Sequence, residues 1–278
     1  MRPKLLIVGA AGQLGATATI RLADRADVVA LTRRDLDVTD HAAVTDRIAR
    51  ERPRVVLNAS AYNAVDAAED DPVSALAVNA WAVQSLARAA ASADAVLVHY
   101  STDFVFDGTA SAPYTEADAT APPNVYGQSK LVGEWMAAGA AAHYVLRVES
   151  LFGGPAAHGS IDRIVTALRA GQPARVFVDR VVSPSFVDDV VEATWRLVGA
   201  QAAYGTYHMV NTGAATWYRL AEEVASILGI RATLEATRMA DVPMRAARPR
   251  YCALSNERLR SAGVEMPSWQ DALARYLS

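Results

Sequence analysis

The segment Leu5-Leu6-Ile7-Val8-Gly9-Ala10-Ala11-Gly12-Gln13-Leu14-Gly15 decides the fold. Four consecutive apolar residues ending at a glycine are what a parallel strand buried on both faces requires. The glycines that follow permit a tight turn, a close backbone approach to a pyrophosphate, and close packing of the next helix on the strand. Leu14, Ala18 and Leu22 then recur at helical spacing. A strand, a glycine-rich turn and a helix, in that order, predict a dinucleotide site with Gly9, Gly12, Gln13 and Leu14 at the cofactor.

Outward from that turn the same unit repeats. Val28 to Leu31, Val55 to Leu57, Ala95 to Tyr100 and Tyr144 to Val148 are short apolar runs of the same kind. Helical stretches lie between them: one from Asp40, a plausible N-cap, to about Arg50 with Pro53 ending it, and an alanine-rich one from Asp71 to Ala93. Asn79 falls among apolar residues in the latter, where a side-chain amide needs a buried partner. His99 reads as a packed core residue, Phe104 to Pro123 as a surface loop, and Asn124 as the cap of the next helix. Beyond Ser150 the chain alternates helices and short strands, with no linker or repeat. The expected fold class is α/β: a Rossmann-type doubly wound parallel sheet over residues 1–150, and a smaller C-terminal α/β substrate-binding lobe over 151–278 whose chain crosses back to the core.

Four features carry chemistry. The second strand ends in Thr32-Arg33-Arg34, two guanidinium groups where a ribose 2'-phosphate would sit, with Asp35 close enough to serve a 2'-hydroxyl instead. This favours NADPH, with NADH possible. The tip Asn58-Ala59-Ser60 would pass beside the cofactor phosphates and ribose, and Ser101-Thr102-Asp103 ends a strand where open α/β sheets place their chemistry. Tyr126 and Lys130, four residues apart, lie on one helix face. A phenol titrates near about 10, and a fixed ammonium nearby favours its phenolate, which makes the pair a usable acid or base.

Composition narrows the function. The 278 residues carry a net charge of -3, which offers no basic field for nucleic acid. The single cysteine, Cys252, excludes a disulfide framework and reads as a buried small hydrophobe. The five histidines lack metal-ligand spacing, so no metal is expected. The N-terminal apolar run is far too short for a membrane span or signal peptide, so no membrane partner and a cytoplasmic location are expected.

With those elements placed, the sequence resembles the extended short-chain dehydrogenase/reductases, and within them the dTDP-4-dehydrorhamnose reductase family. The resemblance is carried by Gly9 to Gly15, Leu36-Asp37-Val38-Thr39-Asp40, Asn58 to Tyr62 with Val65 to Glu69, and Val78-Asn79. It continues through His99 to Gly108, Pro123 to Glu134, Thr216-Trp217-Tyr218 and Arg248-Pro249. It implies that Tyr126 protonates a reduced carbonyl, that Lys130 lowers the Tyr126 pKa and bonds the nicotinamide ribose, and that Thr102 bonds the substrate oxygen. Asp37, Val38 and Asn79 would join the cofactor site, and Asp103, Val65 and Arg248 the substrate site, with Arg248 facing a pyrophosphate. The implied reaction is NADPH-dependent reduction of C4 in a nucleotide-linked 4-keto-6-deoxyhexose, with a homodimer possible. Ser150 stands where the family usually has tryptophan, Val182-Ser183-Pro184-Ser185 replaces its Gly-x-Pro-Thr, and the loop from Gly153 to Ser160 lacks its Asn-Phe pair. The alternative is a non-catalytic NADP-binding regulatory subunit, a role one relative of the family fills. The superfamily's dehydratases usually place an Asp-Glu pair after the threonine, and Asp103 here is followed by Phe104.

Overall fold

The computed structural model describes residues 2–278. The chain opens with β1 (Lys4–Val8), α1 (Gln13–Leu22), β2 (Asp27–Leu31), α2 (His41–Glu51) and β3 (Val55–Asn58). Next come α3 (Val65–Asp70), α4 (Pro72–Leu76), a π-helical turn (Ala77–Trp81), α5 (Ala82–Ser92) and β4 (Val96–Thr102). After α6 (Val125–Ala137) and β5 (His143–Val148), the strands become short. Next follow β6 (Leu151–Phe152), the helix α7 (Ser160–Arg169), β7 (Ala174–Phe177), β8 (Val181–Val182) and β9 (Ser185–Phe186). The remainder is α8 (Val187–Gly199), β10 (Gly205–His208), β11 (Ala215–Thr216), α9 (Trp217–Leu228), β12 (Leu234–Thr237), α10 (Glu257–Ser261) and α11 (Trp269–Leu277).

Six parallel strands form the central sheet in the order β10-β5-β4-β3-β1-β2. Their residues face helices on both sides, which explains the uninterrupted apolar runs. On one face Leu14, Ala18 and Leu22 of α1 pack with Val190, Val191 and Leu197 of α8. On the other, Val44 and Ile48 of α2, Leu86 of α5 and Ala137 of α6 close over Leu6, Val56 and Leu97. Each such fully buried Leu or Ile contributes about 1.5–3 kcal/mol. The chain leaves β1 toward β2 on one side and returns to β3 on the other, so a crevice opens at the carboxyl ends of β1 and β3.

α8 and β10 return from beyond residue 150 to this sheet, while the other late elements surround a second core. Phe152, Ile164, Leu168, Trp217, Leu220 and Leu273 are among its buried members. Two segments differ from the sequence expectation. The alanine-rich helix widens at a π turn, where the Asn79 amide engages the Tyr62 backbone and Ser129. The expected surface loop after β4 is partly interior: Val105, Phe106 and Tyr114 are buried with Val210 and Leu254, and the Phe106 and Tyr114 rings stack at 4.2 Å.

Candidate active site

The turn after β1 passes against the tip of β3. Gly9 has φ +83, and a Cβ there would stand 2.6 Å from the Ser60 nitrogen, so only glycine fits. Beside this contact lies a cleft of 290 Å³, lined by Gly9, Gly12, Arg33, Val38, Ala59 and Ser60, with Asp37 and Val78 also at its wall. Asp35 is not free for a ribose: its carboxylate accepts from the Thr32 hydroxyl at 2.6 Å and the Thr32 nitrogen at 2.9 Å, and these bonds lower its pKa. Arg33 makes no ion pair among the described residues, whereas Arg34 is not on the lining. A backbone cradle at the start of α1 beside an uncommitted guanidinium fits a dinucleotide carrying a 2'-phosphate.

Leu14, Asn58 and Asn79 act from behind this surface, whereas Gln13 lines the adjoining cleft that holds Thr102 and Tyr126. The Leu14 side chain is in the core, and Gln13 donates to the Gly153 carbonyl at 2.9 Å. Asn58 is buried, accepting from both the nitrogen and hydroxyl of Ser60 and donating to His99 Nδ1 at 3.0 Å. Asn79 is fully buried rather than at the cleft, holding Tyr62 through both its amide atoms. It positions the tip of β3 because the π turn aims it inward.

Thr102 and Asp103 stand at the carboxyl end of β4. Asn124 caps α6 by accepting from the Gly127 nitrogen at 2.7 Å. A Cβ on Gly127 would collide with the Phe104 carbonyl, so glycine lets this helix start against the end of β4. Tyr126 thereby meets Phe104 edge-on at 5.6 Å. Burial pushes its phenol up to about 12; the Thr102 hydroxyl opposes the rise and the Asp103 charge adds to it. Lys130 lies one turn below, buried, with Nζ donating to the Tyr100 carbonyl at 2.6 Å and 3.5 Å from His99 Nε2. Burial brings the Lys130 amine down to about 8, against the pull of Glu134. The expected lowering of the Tyr126 pKa by Lys130 is therefore not what this arrangement gives: the phenol is raised, and the amine is turned to the Tyr100 carbonyl.

α6 is also fixed by a buried ion pair. Arg147 on β5 donates from Nε and NH2 to the two oxygens of Glu134, at 2.9 and 2.7 Å, and Ser101 donates to the same carboxylate at 2.5 Å.

Thr102, Asp103, Tyr126 and Val65 line a second cleft of 340 Å³, which meets the first at Asn63. Glu149, Ser150, Arg163, Arg180 and Trp217 form its far wall. Ser150 has φ 45, a left-handed backbone at the position that faces the lobe. Through Arg163, Arg180 and Trp217 this cleft continues into a 350 Å³ cavity of the lobe, bounded also by Arg175 and Phe177. Arg248 is not on either lining. Its NH2 donates to Asp66 at 2.9 Å and its NH1 to the Ala246 carbonyl, so it ties the C-terminal segment to α3. Val182 likewise lies in the lobe's core. Glu149, Arg163 and Arg180 were not expected, since no local motif marks them. Cys252 is buried as expected, though its neighbours are the polar groups Arg180, Asp103 and Glu149.

The sequence pattern of the RmlD substrate binding domain matches residues 3–278. The chain belongs to this family. A dTDP-4-dehydrorhamnose reductase of Streptomyces griseus is 38% identical over 98% of this chain and 92% of its own length. A probable dTDP-4,6-dihydroxy-2-methyloxan-3-one 4-ketoreductase of Streptomyces antibioticus is 36% identical over 96% and 92%. The crystal structure of dTDP-4-dehydrorhamnose reductase from Bacillus anthracis in complex with NADP superposes with a TM-score of 0.95 at 29% identity, over 99% of each chain. Family membership thus agrees with the dinucleotide cradle, the strand-end threonine and the Tyr–Lys helix described above.

Proposed function

We propose that this chain is an NADPH-dependent ketoreductase acting on the C4 carbonyl of a nucleotide-linked 4-keto-6-deoxyhexose. The observation that carries the reading is the position of the Thr102 and Tyr126 side chains. They stand between the glycine-cradled cleft bearing Arg33 and a lobe cavity bearing Arg163, Arg175 and Arg180. The first suits a phosphorylated dinucleotide, and the second offers cations and the Trp217 and Phe177 rings to a nucleoside diphosphate.

Gly9, Gly12 and Arg33 would hold NADPH, which when bound supplies the hydride. Hydride addition turns the substrate's carbonyl oxygen into an alkoxide, a far stronger base than a phenolate. The Tyr126 phenol, ordinarily titrating near about 10 and raised further by burial, is protonated at neutral pH, so its proton is available when the alkoxide forms. The Thr102 hydroxyl, beside the phenol, stabilises the same oxygen. Lys130, one turn along from Tyr126, fixes α6 to the Tyr100 carbonyl, and the family resemblance assigns its amine the nicotinamide ribose. Arg163 replaces Arg248 as the cation for the pyrophosphate, since Asp66 already neutralises Arg248.

Among the described residues no helix is long and apolar enough to cross a membrane, and a cytoplasmic location belongs to this reading. A homodimer belongs to the same reading, and the exposed Trp81 and Trp135 on the α6 side of the sheet support a contact there. Light scattering tests it. The activity is tested by following NADPH oxidation on addition of a dTDP-4-keto-6-deoxyhexose. Turnover supports the reading; tight NADP binding without any oxidation would instead make the chain a regulatory subunit.

A further inference from the structure

No second acid follows Asp103 in the chain, yet one meets it in space. Glu149, directly after β5, brings its carboxylate to Asp103 and the Cys252 thiol, with one polar atom of each within 4.8 Å of the others. Asp103 Oδ1 accepts the Thr102 hydroxyl at 3.0 Å, and Glu149 Oε2 accepts the Ser183 N–H at 2.5 Å. Asp103 Oδ2 and Glu149 Oε1 are buried with no hydrogen-bond partner, as is Arg180 Nε. Arg180 is the cation of this cluster, its NH2 3.8 Å from Cys252 Sγ and its guanidinium over the Phe104 ring. The remaining titratable neighbours are Tyr126, facing Asp103, and Tyr251, facing Glu149. Lys130 is turned away to Tyr100.

One guanidinium balances one carboxylate. A second buried anion beside the first is costly, so the pair keeps one proton rather than ionising twice. Burial pushes Asp103 up to about 6, and burial with the Asp103 charge pushes Glu149 well above the usual range. A divalent cation would need both carboxylates ionised beside a guanidinium that repels it, so it is the poorer occupant.

We propose that Asp103 and Glu149 share one proton and that the pair, acting through the Thr102 hydroxyl, returns a proton to Tyr126 after each turnover. The inference rests on the reduction proposed above. Once Tyr126 has given its proton to the alkoxide, the Thr102 hydroxyl passes its own proton to the phenolate and takes one from the Asp103 carboxyl. Tyr126 is again neutral and the pair carries one more negative charge, which a proton from solvent removes. Glu149 acts through Asp103, so it is a positioning residue. Cys252 takes no part in the transfer.

Difference infrared spectroscopy tests the shared proton directly. At neutral pH the unmutated protein should show a protonated-carboxyl band that shifts in D2O and is absent from Glu149→Gln. Absence of such a band in the unmutated protein overturns the proposal, whatever its activity, and this measurement stands even if the variant does not fold. Rapid-mixing kinetics test the relay. Glu149→Gln, whose amide still accepts from Ser183, should complete its first NADPH oxidation at the unmutated rate and then turn over about tenfold more slowly. Equal slowing of both phases, or slowing of neither, overturns the relay. Failure of the ketoreductase reading shows separately, as an unmutated protein with the infrared band and no NADPH oxidation.

Discussion

A phenol raised to about 12 is fully protonated at neutral pH, which leaves Tyr126 holding the proton that a reduction needs. Tyr126→Phe should lower kcat by about a hundredfold or more, the usual share of one general acid, while NADPH affinity measured by fluorescence stays within error. Near-normal turnover would remove Tyr126 from the mechanism. Lys130 sets the alkaline limb. Its amine is charged below about 8 and loses that charge as pH rises through it, so kcat/KM should fall above that pH. A profile flat to pH 10 would show that the ammonium is not needed. Arg33 should set the cofactor preference. Arg33→Ala should cost NADPH about 1.5–3 kcal/mol of binding and leave NADH unaffected, as loss of one charge-assisted phosphate contact does. Titration of both cofactors into both proteins checks this.

At the scale of elements, α6 carries the chemistry and its placement is over-determined. Asn124 caps it, Lys130 ties it to β4, and Glu134 ties it to β5 through Arg147. Arg147→Met would leave the Glu134 carboxylate buried without its cation, at a cost of about 3–5 kcal/mol. A denaturant midpoint that does not move would contradict that role. This helix was legible in the chain because its signals are local: a capping residue, then Tyr126 and Lys130 one turn apart. The wide turn at Asn79 was not. The need of its amide for a partner could be read, but the partners, Tyr62 and Ser129, are far along the chain. Residues 104–123 read as surface because their prolines and Gly108 dominate, while the burial of Phe106 and Tyr114 depends on Val210 and Leu254 arriving late in the chain.

At the scale of the molecule, the sheet and its crevice follow from repeated apolar runs and one glycine turn, and these are all visible in sequence. The lobe's side of the site is not. Glu149 and Arg180 come near each other only because β5 and the lobe pack together, and the ion pair of Arg248 with Asp66 was not legible because the rigidity of Pro249 says nothing of Asp66 across the chain. The lobe's role predicts a contrast. Arg163→Ala should raise KM for a dTDP-linked keto sugar about tenfold or more with little change in kcat, the pattern of lost ground-state binding. Arg248→Ala should leave KM near its unmutated value and reduce thermal stability instead. The reverse pattern would return the pyrophosphate to Arg248. The most direct test of the whole account follows the hydride itself. Incubation with NADPH deuterated at the transferring position of the nicotinamide and a dTDP-4-keto-6-deoxyhexose should give a sugar product carrying one deuterium at C4, located by mass spectrometry and NMR. A product with deuterium at another carbon, or unreduced sugar recovered beside intact cofactor, would contradict it.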